Sequence, residues 1–403
     1  MTTFKVSKAA AKRLTDFTSY AKSFSQVAGL DEKHVFVLDP TTSKLEVYAS
    51  GPQGFLTCKL DLTDVVVDPT FNEEIYFVSI SSAFATSCDK IQGDEVSVAV
   101  DHKRENKLTF KGQGRSIVSL SPNVKRSPDE IKELRTMLDE EMATDDYKNG
   151  VVLVLTEDLK NNLTSMAAIS KIFGRIGDVE ISSNTLKTAN ELCIATFATA
   201  PTNLTETVYL QGDAISLLRD SKEIRLYGDD RRKAAFEAPG KGFSAMISFD
   251  ASTYEFPTDA ELKGYLPEAS DEVEIEVDTT DLFPVLDAFD GIFDASSWRY
   301  KQVRIKYDRQ DFPKTKELSV SYDDLKAECQ QYLKAELVSD TSSLPSFQFT
   351  VATTHLTGAL RDFISSSDKV RIKFSGLDIT AQHGCAVRFK TDKLDAVIPK
   401  MVE

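Results

Sequence analysis

Ser81-Ser-Ala-Phe-Ala-Thr-Ser-Cys-Asp-Lys-Ile-Gln-Gly-Asp-Glu-Val-Ser-Val-Ala-Val100 decides how the chain is read. It predicts an amphipathic helix, a short polar turn, and a strand in which apolar and polar residues alternate. The same order recurs in Asp213-Ala-Ile-Ser-Leu-Leu-Arg-Asp-Ser-Lys-Glu-Ile-Arg-Leu-Tyr227. It recurs again in Thr354-His-Leu-Thr-Gly-Ala-Leu-Arg-Asp-Phe-Ile-Ser-Ser-Ser-Asp-Lys-Val-Arg-Ile-Lys-Phe374. Anchored on Val96, Ile224 and Val370, the copies lie 128 and 146 residues apart, steps of a domain rather than of a solenoid.

Each copy is preceded by a strand and helix of its own. Phe4-Lys-Val leads into a helix over Ser7–Ser25, with Ala10, Leu14, Phe17, Ala21 and Phe24 on one face. Val151–Leu155 leads into Thr156–Arg175, striped by Leu159, Leu163, Met166 and Phe173, and Val273–Val277 leads into Asp281–Phe293. Period-two runs such as Lys107–Lys111 and Gln302–Tyr307 suit antiparallel sheets with one solvated face. The expectation is an α+β protein of three similar domains, each of two helices backed by antiparallel sheets. Their boundaries are expected at 1–125, 126–267 and 268–403. Residues 126–150 form a linker and charge-rich helical insertion, Asp308–Lys316 a polar hairpin loop, and Asp323–Lys334 a short exposed helix.

The chain has 403 residues, enough for two to four domains at about 100–200 residues each. Its formal charge of −15 argues against a protein whose whole surface grips phosphate. Apolar runs such as Val151–Leu155 fall far short of the ~20 residues of a membrane span, and Met1–Lys8 has no apolar export segment. Cys58, Cys88, Cys193, Cys329 and Cys385 are odd in number, far apart and without a CxxC pair, which reads as reduced thiols in a cytoplasm.

Catalytic vocabulary is sparse. His34, His102, His355 and His383 form no HxxxH or HExxH pattern, and His383-Gly-Cys385 lacks a second ligand pair at zinc spacing. Gly112-Gln-Gly114 between strand-like runs reads as a turn rather than a phosphate cradle, and no GxxxxGK[ST] or GxSxG occurs. Asp229-Asp230 and Glu140-Glu141 read as solvated carboxylates. No cofactor, metal or catalytic residue is expected. The charge pattern says more. The first helix carries Lys8, Lys12, Arg13 and Lys22 against Asp16, a net of +3, and Asp281–Phe293 is −3. Lys90, Lys160, Lys171, Arg175, Arg219, Lys222 and Arg361 lie on or beside the other helices. The six helices together are near neutral, so the remaining chain carries about −16. Such a molecule holds a polyanion loosely on its helices and repels it elsewhere. Plain solvation of amphipathic helices accounts for the same lysines.

Four stretches bring a known family to the page. Lys107–Ser121 resembles the strand pair closing the first domain of the bacterial β sliding clamp, the processivity factor of replicative DNA polymerase. Cys193-Ile-Ala-Thr-Phe-Ala-Thr-Ala-Pro-Thr-Asn-Leu204 resembles its second-domain segment. Tyr254-Glu-Phe-Pro-Thr with Gly264-Tyr-Leu-Pro267 resembles its connection into the third domain, and Asp395-Ala-Val-Ile-Pro-Lys-Met401 resembles its closing segment. The resemblance, to a divergent member, spans nearly the whole chain. It implies a DNA-clamp fold forming half of a ring: a homodimer that encircles duplex DNA without reading sequence, lined by the cations named above. It further implies a partner-peptide pocket between the second and third domains, used by the replicative DNA polymerase and the clamp-loader ATPase. Carried over, the lining is Thr199, Pro201, Thr202, Leu204, Pro257, Tyr265, Val397, Ile398, Pro399 and Met401, with Ile292 and Phe293 at the dimer seam. Ala200-Pro-Thr-Asn203 departs from the family's Asp-Gly-His-Arg run, and the insertion matches no family role. Two other classes stay open: a shell protein reusing the repeat, and an enzyme built on dispersed residues such as His355 with Arg361.

Overall fold

Three times along the chain the same strand order is wound. The computed structural model describes residues 2–30, 33–66, 75–101, 107–113, 117–120, 128–172, 178–189, 194–238, 242–248, 272–293, 302–323, 328–341, 346–353, 356, 360–375 and 386–399. In the first set, β1 (Thr2–Ser7) enters α1 (Lys8–Ala28). Then come β2 (Lys33–Asp39), β3 (Lys44–Gly51), β4 (Gly54–Asp61), β5 (Asp64–Val66) and β6 (Ile75–Ile80). α2 (Ser81–Lys90), β7 (Glu95–Asp101), β8 (Lys107–Lys111) and β9 (Ile117–Leu120) complete it. Two helices intervene, α3 (Pro128–Ala143) and α4 (Asp145–Lys148).

The second set is β10 (Val151–Val154), α5 (Glu157–Ile172), β11 (Asp178–Ile181), β12 (Thr185–Ala189) and β13 (Ile194–Ala198). It continues through β14 (Val208–Gln211), α6 (Gly212–Ile215), a 3-10 turn at Ser216–Leu218, β15 (Glu223–Tyr227), β16 (Lys233–Ala238) and β17 (Phe243–Ser248). The third is β18 (Glu272–Asp278), α7 (Thr279–Phe293), β19 (Gln302–Asp308), α8 (Phe312–Thr315), β20 (Glu317–Asp323) and β21 (Glu328–Lys334). It closes with β22 (Glu336–Asp340), β23 (Ser346–Ala352), α9 (Arg361–Ser365), β24 (Lys369–Ser375), β25 (Ala386–Lys390) and β26 (Leu394–Pro399).

Every pairing among the described strands is antiparallel, and it repeats with the sets. The strand before the first helix pairs with the strand after the second: Val6 lies opposite Val96, Leu153 opposite Ile224, and Val277 opposite Val370. Of the strands between the two helices of each set, all but β5 and β22 form β6-β2-β3-β4, β14-β11-β12-β13 and β23-β19-β20-β21. The fold is thus α+β with three similar domains, each with its helices on antiparallel sheet. Two seams join the sets. β17 pairs with β4, setting Phe243 opposite Cys58, and β13 pairs with β26, setting Ile194 opposite Val397. The chain divides into two compact units, 1–156 with 216–251 and 157–215 with 252–403, so the second set contributes to both.

Alternation fixes which face is covered. In β18, Val273, Ile275 and Val277 are buried while the glutamates between them face outward. There they meet cations of the neighbouring strand: Lys373 with Glu272 at 3.0 Å, Arg371 with Glu276 at 3.2 Å and Lys369 with Glu276 at 2.8 Å. Aromatic rings fill the first core, where Phe36 stacks on Phe77 at 5.0 Å and on Phe84 at 4.8 Å. Burying such a ring contributes roughly 1.5–3 kcal/mol.

Several expectations change. Where a helix is expected over Asp323–Lys334, Asp323 ends β20, residues 324–327 lie outside the described residues, and Glu328–Lys334 form β21, which pairs with β20 from Glu317↔Lys334 to Asp323↔Glu328. Leu333 is its one buried member, so the strand is held by its ladder rather than by an apolar stripe. The helix expected over Asp213–Lys222 is broken into α6 and the 3-10 turn, and of the one expected at Thr353–Ser365 the described continuous helix is α9 alone. The loop at Asp308–Lys316 does close a hairpin, between β19 and β20, and holds α8. Gly112 follows β8 against the α2 end: a Cβ there would lie 2.1 Å from Ile91 Cγ2 and 2.4 Å from the Gln92 carbonyl. His383 and Cys385 lie outside the described residues.

Candidate nucleic-acid interface

α1 starts where Ser7 accepts a hydrogen bond from the Ala10 N–H, and ends at Gly29, whose left-handed φ of 63° lets its N–H reach the Ser25 carbonyl. Its apolar face packs on β3, β4 and β17. Phe17 meets Phe243 at 5.7 Å, Phe24 meets Phe236 at 6.5 Å, and Leu14, Phe17 and Phe24 are fully buried. The buried stripe forces Lys12, Arg13 and Lys22 to the exposed side.

Lys8 is placed differently. Its ammonium donates to the carbonyls of Cys88, Asp89 and Ile91 at 3.0, 2.7 and 2.7 Å, so all three protons cap the C-terminal end of α2. Lys90, on the last turn of α2, is exposed. The Tyr20 hydroxyl donates to the Leu217 carbonyl and holds the segment carrying Arg219 and Lys222, both exposed, beside α1. Burial and the nearby Asp220 carboxylate both push the Tyr20 phenol far above its usual range, so it stays a donor. One compact unit therefore gathers Lys12, Arg13, Lys22, Lys90, Arg219 and Lys222 on α1, α2 and the turn beside them.

In the other unit, Lys160 on α5 is folded back on Glu157 at 2.9 Å. Lys171 lies in the last turn of α5, and Arg175 lies outside the described residues. Arg361 grips Asp287 through both guanidinium nitrogens at 2.8 and 2.9 Å and lies 4.9 Å from the Phe283 ring. It thereby ties α9 to α7 and offsets part of the charge of that acidic helix. His355 lies outside the described residues.

For the expected peptide pocket, Thr199, Pro201, Thr202 and Leu204 follow β13 in a tight turn. Thr199 N–H donates to the Asn184 carbonyl at 2.9 Å, and the Thr202 hydroxyl to the Ser182 carbonyl at 3.0 Å. Pro201 is exposed, Thr199 and Thr202 half-buried and Leu204 buried. Val397 and Ile398 sit in β26 and are buried; Val397 lies opposite Ile194, five residues from Thr199. Pro399 ends β26, and Pro257, Tyr265 and Met401 lie outside the described residues. Phe197 of β13 meets Phe363 of α9 at 4.3 Å across the same seam. Ile292 and Phe293 form the end of α7. Two further candidates escaped the sequence reading, the unpaired edges β9 and β21. Period-two exposure along β21 is the signal that points to the second. Among the described residues no three His, Cys, Asp or Glu side chains converge on a metal-sized space, and no helix is long and apolar enough to cross a membrane.

The thrice-repeated, seam-joined antiparallel sheet defines a class: the chain has the fold of the bacterial DNA polymerase III β sliding clamps, from which its sequence diverges widely. It is similar to the sliding clamp of Bacillus subtilis (TM-score 0.66, 10% identity, covering 100% of this chain and 99% of that one). It is similar also to the DNA polymerase III subunit β of Pseudomonas aeruginosa (0.64, 14%, 100% of both chains). A candidate DNA polymerase III β subunit from Eubacterium rectale gives 0.67 at 11% identity, covering 100% and 99%. No family model matches the chain, and no curated protein matches it in sequence.

Proposed function

We propose that the chain is a non-catalytic DNA sliding clamp, a homodimer that closes around duplex DNA and tethers a replicative polymerase. The observation that carries this reading is an unfinished pattern. β17 of the second set pairs with β4 of the first, and β26 of the third with β13 of the second. The equivalent strands left over are β9 of the first set and β21 of the third, and each is the edge of its sheet. A second copy, head to tail, pairs β9 with β21 twice and removes both exposed edges. Two copies then hold six like domains at 1–125, 126–267 and 268–403, with Ile292 and Phe293 beside the seam.

Within the ring, Lys12, Arg13, Lys22, Lys90, Arg219 and Lys222 face phosphate, joined by Lys171 and Arg175. Lys8, Lys160 and Arg361 add charge while holding α2, Glu157 and Asp287. Enclosure rather than affinity retains the duplex, so a modest cation count suffices and sliding stays fast. The turn at Thr199–Leu204, with the end of β26, receives the peptide of polymerase and loader ATPase, in a cytoplasmic setting.

Retention on DNA circles tests the reading. Protein loaded on a nicked circle should co-elute with it through high-salt gel filtration and be lost once the circle is cut. The triple variant Lys12→Glu, Arg13→Glu, Lys22→Glu should load more slowly while remaining dimeric. Equal retention on linear and circular DNA, or a monomer at all concentrations, would end the proposal.

A further inference from the structure

The sheet formed by β3, β4, β17 and β16 has two faces of opposite character. α1 covers one of them, where Val47, Leu56, Cys58 and Phe243 are buried, and shows cations to solvent. α3 lies on the reverse face. The Arg135 guanidinium donates to the Tyr48 hydroxyl at 2.9 Å and pairs with Glu46, and Lys233 of β16 donates to Glu141 at 2.6 Å. Residues 129–148 carry eight carboxylates against three cations, a net of −5.

This strap does not seal the face. One opening of about 200 Å³ is lined by Phe55, Leu134, Met137, Leu138 and Met246. A second, of about 650 Å³, runs along Thr57, Leu138, Met142, Tyr147 and Met246; its charged members, Lys59, Lys222 and Arg225 against Asp139, Glu223 and Glu237, balance, so the acidic excess of this face comes from the strap. Met137 is 59% and Met142 43% exposed, the two most exposed large apolar side chains among the described residues of the strap. Asp139, Glu140, Asp145 and Asp146 stand exposed around them. Flexible thioethers beside apolar openings accept varied apolar side chains, and the acidic surround selects cations.

We propose that this face docks a basic, amphipathic segment of a partner protein, its apolar side chains seated beside Leu138 and Met246 and its cations against the acidic rim. Charge complementarity chooses the occupant. Nucleic acid is repelled. A second copy is unsuited, because its exposed α1 cations have their apolar neighbours buried in its own sheet. The docked segment lies on the opposite side of the sheet from α1, so it leaves Lys12, Arg13 and Lys22 clear, and of the cationic set only Lys222 borders the second opening.

A fluorescent 16-residue Lys/Leu amphipathic peptide, and its counterpart with every Lys replaced by Glu, test this on the full-length protein. Anisotropy should show binding of the Lys peptide alone. The surface variants Met137→Glu with Met142→Glu, and Asp139→Lys with Glu140→Lys, should each weaken it at least tenfold with unchanged melting. With methyl-labelled methionine, of which the chain has six, the Met137, Met142 and Met246 signals should shift on titration. No binding, equal binding by wild type and variants, or shifts confined to Met1, Met166 and Met401 would overturn the proposal. So would a fall in oligomer mass in the methionine variant, which would make the face a contact between copies. Circle retention reads the clamp proposal separately, so the two fail independently.

Discussion

A single side chain can carry structure where its charge suggests binding. Lys8 begins as one of four cations on a helix and ends as the cap of its neighbour, its three protons matched to three carbonyls. The contact partner lies 80 or more residues away, so helical spacing gives no sign of it. The Arg135–Glu46–Tyr48 cluster is similar. Burial raises the Glu46 carboxyl, but hydrogen bonds from Tyr48 and Arg135 outweigh burial and hold it below its usual range. Arg135→Ala should therefore destabilise the protein by about 1–2 kcal/mol near neutrality, measured by urea unfolding. A depressed carboxyl stabilises above its unfolded value of about 4.3 and loses that contribution as pH falls through the folded value. The gap between wild type and variant should thus shrink below about pH 4; a constant gap would show that Glu46 is not the partner that matters. Gly112→Ala drives a methyl into Ile91 and the Gln92 carbonyl and should cost about 1–3 kcal/mol. An unchanged melting temperature would show that the turn yields freely.

At the scale of elements, helices with wide apolar stripes were legible and marginal ones were not. α1 buries the residues its periodicity selects and α5 buries Leu159, Leu163 and Met166 (Phe173 lies outside the described residues), because one continuous stripe admits one packing. Cys329 and Leu333 have helical spacing as well, yet both lie in the strand β21: its ladder with β20 satisfies the backbone, and two apolar residues do not outweigh seven paired positions. The strand's edge yields a prediction. Burial pushes the Cys58 and Cys88 thiols up to about 12, so at pH 8 both stay protonated and shielded. Cys329, half-buried on β21, should alkylate well before either. Its labelling should slow as protein concentration rises, since the seam proposed for β21 covers it. A rate independent of concentration, in a protein that sediments as a dimer, would remove β21 from the seam.

Over the whole molecule the charge of −15 is distributed rather than uniform. Outward glutamates of β18 are matched by Lys369, Arg371 and Lys373 across the ladder, each exposed pair contributing ~0–1 kcal/mol. Acidic α3 and cationic α1 occupy opposite faces of one sheet, so an acidic chain keeps one cationic face. Circle retention tests that distribution directly, since a uniformly acidic ring would load poorly.

Residue order was enough to give the α+β class, the three repeats and the apolar faces of the longer helices, because periodicity is a local property that survives without neighbours. The seams β4–β17 and β13–β26, the open edges β9 and β21, the cap made by Lys8 and the bed of α3 all join residues far apart in the chain. The seams rest on backbone hydrogen bonds, which any side chain permits, and the cap and the bed rest on side chains whose partners lie 80 or more residues away, so only folding in three dimensions selects them.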